Sequence, residues 1–159
     1  MKLLLTFLLS FMTTVHATEF HIVFKNGHAD SYDSSNEVFK RNMCEVADKI
    51  VDIKLNYQEI QSFKSLAEKL DFYNEAEDQA DIKTSDNNPK ITVSCSPCAQ
   101  YYLEITTPNQ TNKVTWDCGC DASKDFTPKS IKPLVLKLKN ILYQNKKIKN
   151  LNPTDCRYI

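Results

Sequence analysis

Four of the six cysteines in this 159-residue chain form two close pairs, Cys95-Ser-Pro-Cys98 and Cys118-Gly-Cys120, while Cys44 and Cys156 stand apart. Three chemistries suit such a set. Cys95-x-x-Cys98 has the spacing of a thiol–disulfide exchange pair, whose first thiolate is activated at a helix N-terminus. Cys95, Cys98, Cys118 and Cys120 together offer four thiolates at spacings a tetrahedral zinc ion accepts. Alternatively, all six close three disulfides, the ordinary outcome for an even cysteine count in an oxidising compartment. The exchange pair lacks its helix, since the residues after Cys98 alternate as a strand does and only 61 follow it. Thiolates in an exported protein oxidise before they meet zinc. Disulfides are therefore the expectation, with a cysteine-based metal site or redox pair as the alternative.

Export is read from residues 1–17, where Lys2 precedes an apolar run from Leu3 to Met12 and a small-residue exit at Val15-His16-Ala17. That is the pattern of a signal peptide cut near Ala17, and it predicts a secreted or periplasmic protein. The run is about half the ~20 residues a bilayer-spanning helix needs, so no transmembrane segment is expected. Residues 18–159 then hold 19 basic and 20 acidic side chains. They suffice for one domain that builds its core without a metal, a cofactor or a second copy. The near-neutral total hides an asymmetry, with eleven acidic against six basic residues over 45–90 and nine basic against three acidic over 121–159. Lys129, Lys132, Lys137, Lys139, Lys146 and Lys147 make a candidate basic patch for an anionic partner or lipid surface.

Other catalytic constellations are absent from the sequence. His21 and His28 have no third ligand at a defined spacing, and Glu104 and Asp117 read as residues of a solvated strand face. No nucleophile elbow, phosphate loop or His-Glu-x-x-His occurs. Asn109-Gln-Thr111 fits a glycosylation sequon at a hairpin tip. The chain is expected to be no enzyme.

The elements that position these residues follow from periodicity. Phe20–Phe24 and His28–Tyr32 flank Asn26-Gly27, the signal of a two-residue hairpin turn. Two more strands are expected over Glu37–Val46 and Lys49–Leu55, joined tightly at Ala47 and Asp48. Asn56 and Glu59 form a capping box, with Leu55 and Ile60 as its hydrophobic staple. The helix they open carries Ile60, Phe63, Leu66, Ala67 and Leu70 on one stripe and runs to about Tyr73. A flexible acidic loop spans about 74–90, and Ile91–Ser94 is a short strand.

Ala99–Thr106 and Asn112–Cys118 form a second hairpin. With its turn centred on Asn109-Gln110, Ile105 lies opposite Val114, Leu103 opposite Trp116 and Tyr101 opposite Cys118, all on the inner face. Thr127, Pro128 and Ser130 open a last helix with Ile131, Leu134, Val135, Leu138, Ile141 and Leu142 inward and Lys132, Lys137 and Lys139 toward water. A tail of about 150–159 follows. The order β-β-β-β-α-β-β-β-α predicts an α+β fold, an antiparallel sheet of about six to seven strands with two helices, stapled by disulfides. In that register Cys98 reaches Cys120, Cys95 takes Cys118, and Cys44 is left for Cys156. Fifteen connectivities remain formally open.

The segments Leu55-Asn-Tyr-Gln-Glu-Ile60 with Phe63, Leu66, Leu70 and Phe72-Tyr73, then Tyr102-Leu-Glu-Ile105, Val114-Thr-Trp116 and Pro128-Lys-Ser-Ile-Lys-Pro-Leu-Val-Leu-Lys-Leu138 carry a resemblance. They are similar to the emfourin-type proteins, small bacterial inhibitors of thermolysin-like metallopeptidases. The first hairpin and helix also resemble an uncharacterised secreted bacterial domain. The chain departs from the pattern in its six cysteines and its two glycines, Gly27 and Gly119. The resemblance implies a binding or inhibitory module, a metallopeptidase being the partner in the inhibitory case; the exported chain is expected to be a monomer whose partner is another protein and not nucleic acid.

Purified from an oxidising compartment, the mature chain is expected to show no free thiol on alkylation under denaturing conditions and no bound zinc. Four reactive thiols, or one zinc per chain, would establish the metal site instead.

Overall fold

The computed structural model describes residues 20–75, 99–117 and 125–156. The leader, the strand expected at Ile91–Ser94, most of the acidic loop, and Cys95, Cys98, Cys118 and Cys120 lie outside the described residues, as do the pairings expected for those four cysteines. Six strands form one antiparallel sheet: β1 (His21–Asn26), β2 (Asp30–Asp33), β3 (Val38–Arg41), β4 (Lys49–Asp52), β5 (Gln100–Thr106) and β6 (Thr111–Asp117). Their spatial order is β4-β3-β2-β1-β5-β6. Helices α1 (Tyr57–Lys69), α2 (Lys132–Gln144) and α3 (Lys146–Lys149) complete an α+β fold.

The first hairpin closes at the pair Asn26 and Asp30, so its loop is the three residues Gly27, His28 and Ala29 and not a two-residue turn. Only Gly27 takes a left-handed conformation there, with φ of 63°. It is required twice over, because a Cβ at this position would meet the Tyr101 ring at 3.0 Å and Ala99 at 3.1 Å. The third strand is shorter than its β-prone run. Pairing stops at Arg41, and Asn42–Asp48 form a loop in which the Asp48 carboxylate accepts the Met43 N–H at 2.8 Å.

Helix α1 begins as its capping residues dictate. The Asn56 side chain accepts the Glu59 N–H at 3.0 Å, and the Glu59 carboxylate accepts the Asn56 N–H at 2.8 Å. Such caps contribute about 1 kcal/mol. The helix ends earlier than periodicity suggested, at Lys69. Asp71 then turns left-handed at φ 53°, and a 3-10 turn over Phe72–Asn74 buries Phe72. A short aspartate tolerates this conformation where most residues do not. Helix α2 begins at Lys132 rather than at Thr127, preceded by a turn whose Pro128 carbonyl accepts the N–H groups of Ile131 and Lys132. Asn145 breaks the run and caps α3, an additional short helix, through the Lys147 N–H.

Both long helices cover one face of the sheet. Ile22, Phe24, Tyr32, Phe39, Ile53, Leu103, Ile105, Val114 and Trp116 from the sheet share one buried cluster with Phe63 and Ala67 of α1 and Leu134, Val135, Leu138 and Leu142 of α2. Each large side chain so removed from water contributes roughly 1.5–3 kcal/mol.

The β5–β6 register differs by two residues from the expected one: Tyr101 pairs with Trp116, Leu103 with Val114 and Ile105 with Asn112. Its cause is the turn, centred on Pro108 and Asn109. The Thr107 N–H donates to the Gln110 carbonyl at 2.8 Å, and the Thr107 hydroxyl accepts the Gln110 N–H at 3.2 Å. Proline's fixed φ suits the first central position of such a turn. A shift of two preserves every inward and outward assignment. Asn112 shares the inward face with Val114 and Trp116, and its amide donates to the Phe72 carbonyl at 2.6 Å and the Glu75 carbonyl at 3.1 Å, anchoring the 3-10 turn to the sheet.

Trp116 is 5% exposed and stacks on Tyr101 with ring centroids 5.9 Å apart. Its replacement by Ala is expected to cost ~3–5 kcal/mol in urea melts. Tyr102→Ala, on the uncovered face beneath the Lys113 ammonium, is expected to cost much less. The opposite ranking would mean that the two faces of this hairpin are exchanged.

Candidate functional site

Helices α2 and α3 present the candidate surface. Between Asp125 and Asp155 the chain carries seven lysines and no carboxylate. Helical geometry turns Leu134, Val135, Leu138 and Leu142 into the core, which leaves Pro133, Leu136, Asn140 and Gln144 outward. Leu136 is 53% exposed. Lys132 lies one turn before it and Lys137 beside it, while Lys129, Lys146 and Lys147 extend the basic ridge at either end.

The six lysines of the expected patch do not behave alike. The Lys132 ammonium lies 2.9 Å from the Asp125 carboxylate. Lys147 donates to the Asp52 carbonyl at 2.8 Å, so α3 ties down the outermost strand. Lys129 and Lys146 are exposed. Lys139 departs from the expectation of pointing to water: it lies half-buried with its ammonium 6.0 Å from the Phe24 ring centroid. Burial pushes its pKa down, opposed by Asp125 and Asp30. The reason is its place on the helix, at the margin between the buried stripe and the ridge.

One buried polar group fixes how α2 sits. Asp30 is 5% exposed, and its carboxylate takes a two-pronged contact from Arg41, Nε at 2.8 Å and Nη2 at 3.2 Å. The Tyr143 hydroxyl of α2 donates to the same carboxylate at 2.8 Å, and the Asn26 amide donates to that hydroxyl at 3.2 Å. Its hydrogen bonds to Asp30 hold Arg41 more firmly protonated. Burial, and then Asp30, push the Tyr143 pKa well up. Sequence reading missed this network, whose hydrogen-bonded partners lie 11 to 117 positions apart. The one sequence-level signal was Asp30, a charge two positions from Tyr32 and so on the same inward face of β2.

The tail is held against the same end. Cys44 and Cys156 form the expected disulfide, with Cα atoms 4.9 Å apart. The Asp155 carboxylate accepts the Cys44 N–H at 2.6 Å, the Thr154 hydroxyl donates to the Asn42 carbonyl at 2.7 Å, and Arg41 donates to the Asn152 carbonyl at 3.1 Å. Cys44, Asp155 and Cys156 bring their donor atoms within 4.8 Å of one another. With both sulfurs bonded to each other, no thiolate is offered to a metal.

The remaining candidates do not converge. His21 opens β1 and His28 lies in the loop beyond the other end of that strand. Glu104 pairs with Lys113 and Asp117 with Gln100, so the two carboxylates sit at different ends of the hairpin. Asn109 is exposed at the tip of the turn. Among the described residues no helix is long and apolar enough to cross a membrane.

Asp125 anchors the start of α2. The Thr127 side chain, and then Lys132, hold its carboxyl at about 2, below the ordinary 3.8. A lowered folded-state pKa contributes stability above the unfolded value and loses it as pH falls through the folded one. Asp125→Asn is therefore expected to be slightly less stable than the parent at neutral pH, by under about 1 kcal/mol because the pair is half exposed. That difference should vanish in urea melts taken as pH drops from about 4 to about 2; a difference constant with pH would discount the interaction. Comparison with protein-family models, curated proteins and solved structures finds no match to the chain.

Proposed function

We propose that this is a small exported, non-enzymatic module that binds an acidic surface on another protein through the exposed face of α2 and α3. The observation that carries this reading is the lysine ridge itself, free of carboxylates from residue 126 to residue 154 and centred on the exposed Leu136. A ring of cations about an apolar side chain suits an interface whose charges steer the encounter while the apolar contact is desolvated. The Cys44–Cys156 bridge and the Asp30 network hold the ridge rigid, which lowers the ordering cost of binding. The resemblance to small metallopeptidase inhibitors makes a thermolysin-like enzyme the first partner to try.

Titration of such an enzyme with the mature domain is expected to lower peptidase activity, less so as salt rises past the point where charges are screened beyond ~8–10 Å. The double change Lys137→Glu with Lys146→Glu leaves the core and the Asp125 pair intact. It is expected to weaken inhibition by about ten-fold or more, since each reversed exposed pair costs several tenths of a kcal/mol to about 1 kcal/mol twice over. Unchanged peptidase activity at about 10 μM domain, well above the Kd of a specific interface, removes the inhibitor reading. Inhibition indifferent to both salt and charge reversal removes the ridge as its surface.

A further inference from the structure

Asn-x-Ser/Thr occurs twice in the chain, at Asn109-Gln-Thr111 and at Asn152-Pro-Thr154. Proline at the middle position bars the second from N-glycosylation, which leaves Asn109. The turn it occupies does not itself call for an asparagine. At a hairpin tip this residue serves either by taking a left-handed conformation or by accepting backbone N–H groups with its side chain. Asn109 does neither. Among the described residues only Gly27, Glu37 and Asp71 have positive φ. The N–H groups of Asn109 and Gln110 are taken by the Thr107 hydroxyl, at 3.4 and 3.2 Å, and that hydroxyl donates to the Gln110 carbonyl at 3.1 Å. Thr107 therefore closes the turn. The Asn109 carboxamide makes no hydrogen bond among the described residues and stands exposed with Pro108, Gln110 and Thr111. Thr111 opens β6, and its hydroxyl donates across the hairpin to the Thr106 hydroxyl at 3.0 Å.

We propose that Asn109 is an acceptor for an N-linked oligosaccharide, with the Thr111 hydroxyl completing the motif. The transfer joins Asn109 Nδ2 to the anomeric carbon of an oligosaccharide carried on a lipid diphosphate. The bond from that carbon to the phosphate oxygen breaks, the lipid diphosphate departs, and the amide gives up one proton, so no oxidant or reductant enters. Such a modification requires the export expected from residues 1–17. It is indifferent to whether the ridge of α2 and α3 binds a peptidase. The tip has room for so bulky and water-seeking a group. It lies beyond Thr106, which pairs with His21 at the start of β1, whereas α2 meets the other end of that strand, where Asn26 donates to Tyr143. The six residues of β1 set these ends roughly 17 Å apart. An oligosaccharide on Asn109 therefore projects away from that contact.

The full chain is recovered from the medium or periplasm of its own source cells, and its intact mass is measured before and after treatment with a peptide N-glycosidase. The expected result is a mass above that of the polypeptide, with the excess released by the enzyme as Asn109 is converted to aspartate. Asn109→Gln and Thr111→Val, expressed in the same cells, are each expected to abolish the excess. Thr111→Ser is expected to retain it, because the hydroxyl remains, and this separates loss of the motif from disturbance of the hairpin. The Asn109 side chain is exposed, so Asn109→Gln carries the test if Thr111→Val does not fold by circular dichroism. A chain confined to the cytoplasm, an exported chain with the mass of the polypeptide alone, or an excess that survives Asn109→Gln would each overturn the proposal.

Discussion

The structure turns on a carboxylate placed where water cannot reach it. Asp30 sits at the start of β2 with 5% of its surface exposed, and a charge in that position must find partners or be neutralised. Its partners define the architecture. Arg41 stands directly across the β2–β3 ladder, so the ion pair holds that register, and Tyr143 comes from the last turns of α2, so the same oxygen fixes where the helix lies on the sheet. Such a pair contributes little net stability against an apolar substitute of the same shape. Removing one partner is another matter, costing about 3–5 kcal/mol because the remaining charge is left uncompensated. The network thus selects one arrangement among those that apolar packing alone would permit.

Arg41 extends the constraint to the tail. One of its nitrogens holds the Asn152 carbonyl, and a few residues later Thr154, Asp155 and Cys156 clasp the loop that follows β3. The disulfide closes a separation of 112 residues, which in chain-entropy terms disfavours the unfolded state by about 4–5 kcal/mol. The hydrogen bonds hold the tail in place and the covalent bond keeps it there when they open. Because β3, α2 and the tail are joined at one corner, the outward face of α2 and α3 is carried on a rigid support.

That support explains how seven lysines on one stretch come to serve different ends. The sheet and the Asp30 network set the rotation of α2 about its axis. With that rotation Leu136 and its flanking lysines face water, Lys147 reaches the edge of β4, and Lys139 turns over the Phe24 ring. A rotation of one residue would exchange these environments.

Much of this was legible in the chain. The capping box of α1, the glycine in the first hairpin, the apolar stripes of both long helices and the α+β class all follow from interactions within a few residues, which sequence displays directly. The pairing of Cys44 with Cys156 followed by elimination. Period-two alternation determined which residues of β5 and β6 face inward, and that assignment is insensitive to a slip of two. The slip itself was invisible, because Pro108 and Asn109 compete with Asn109 and Gln110 for the turn and only the finished ladder, with Asn112 anchored to Phe72 and Glu75, selects between them. The Asp30, Arg41, Tyr143 and Asn26 network, the extra turn of α3 and the inward course of Lys139 were decided by tertiary structure alone. Each depends on which distant side chain arrives at a given point, and a sequence records spacing along the chain, not proximity in space.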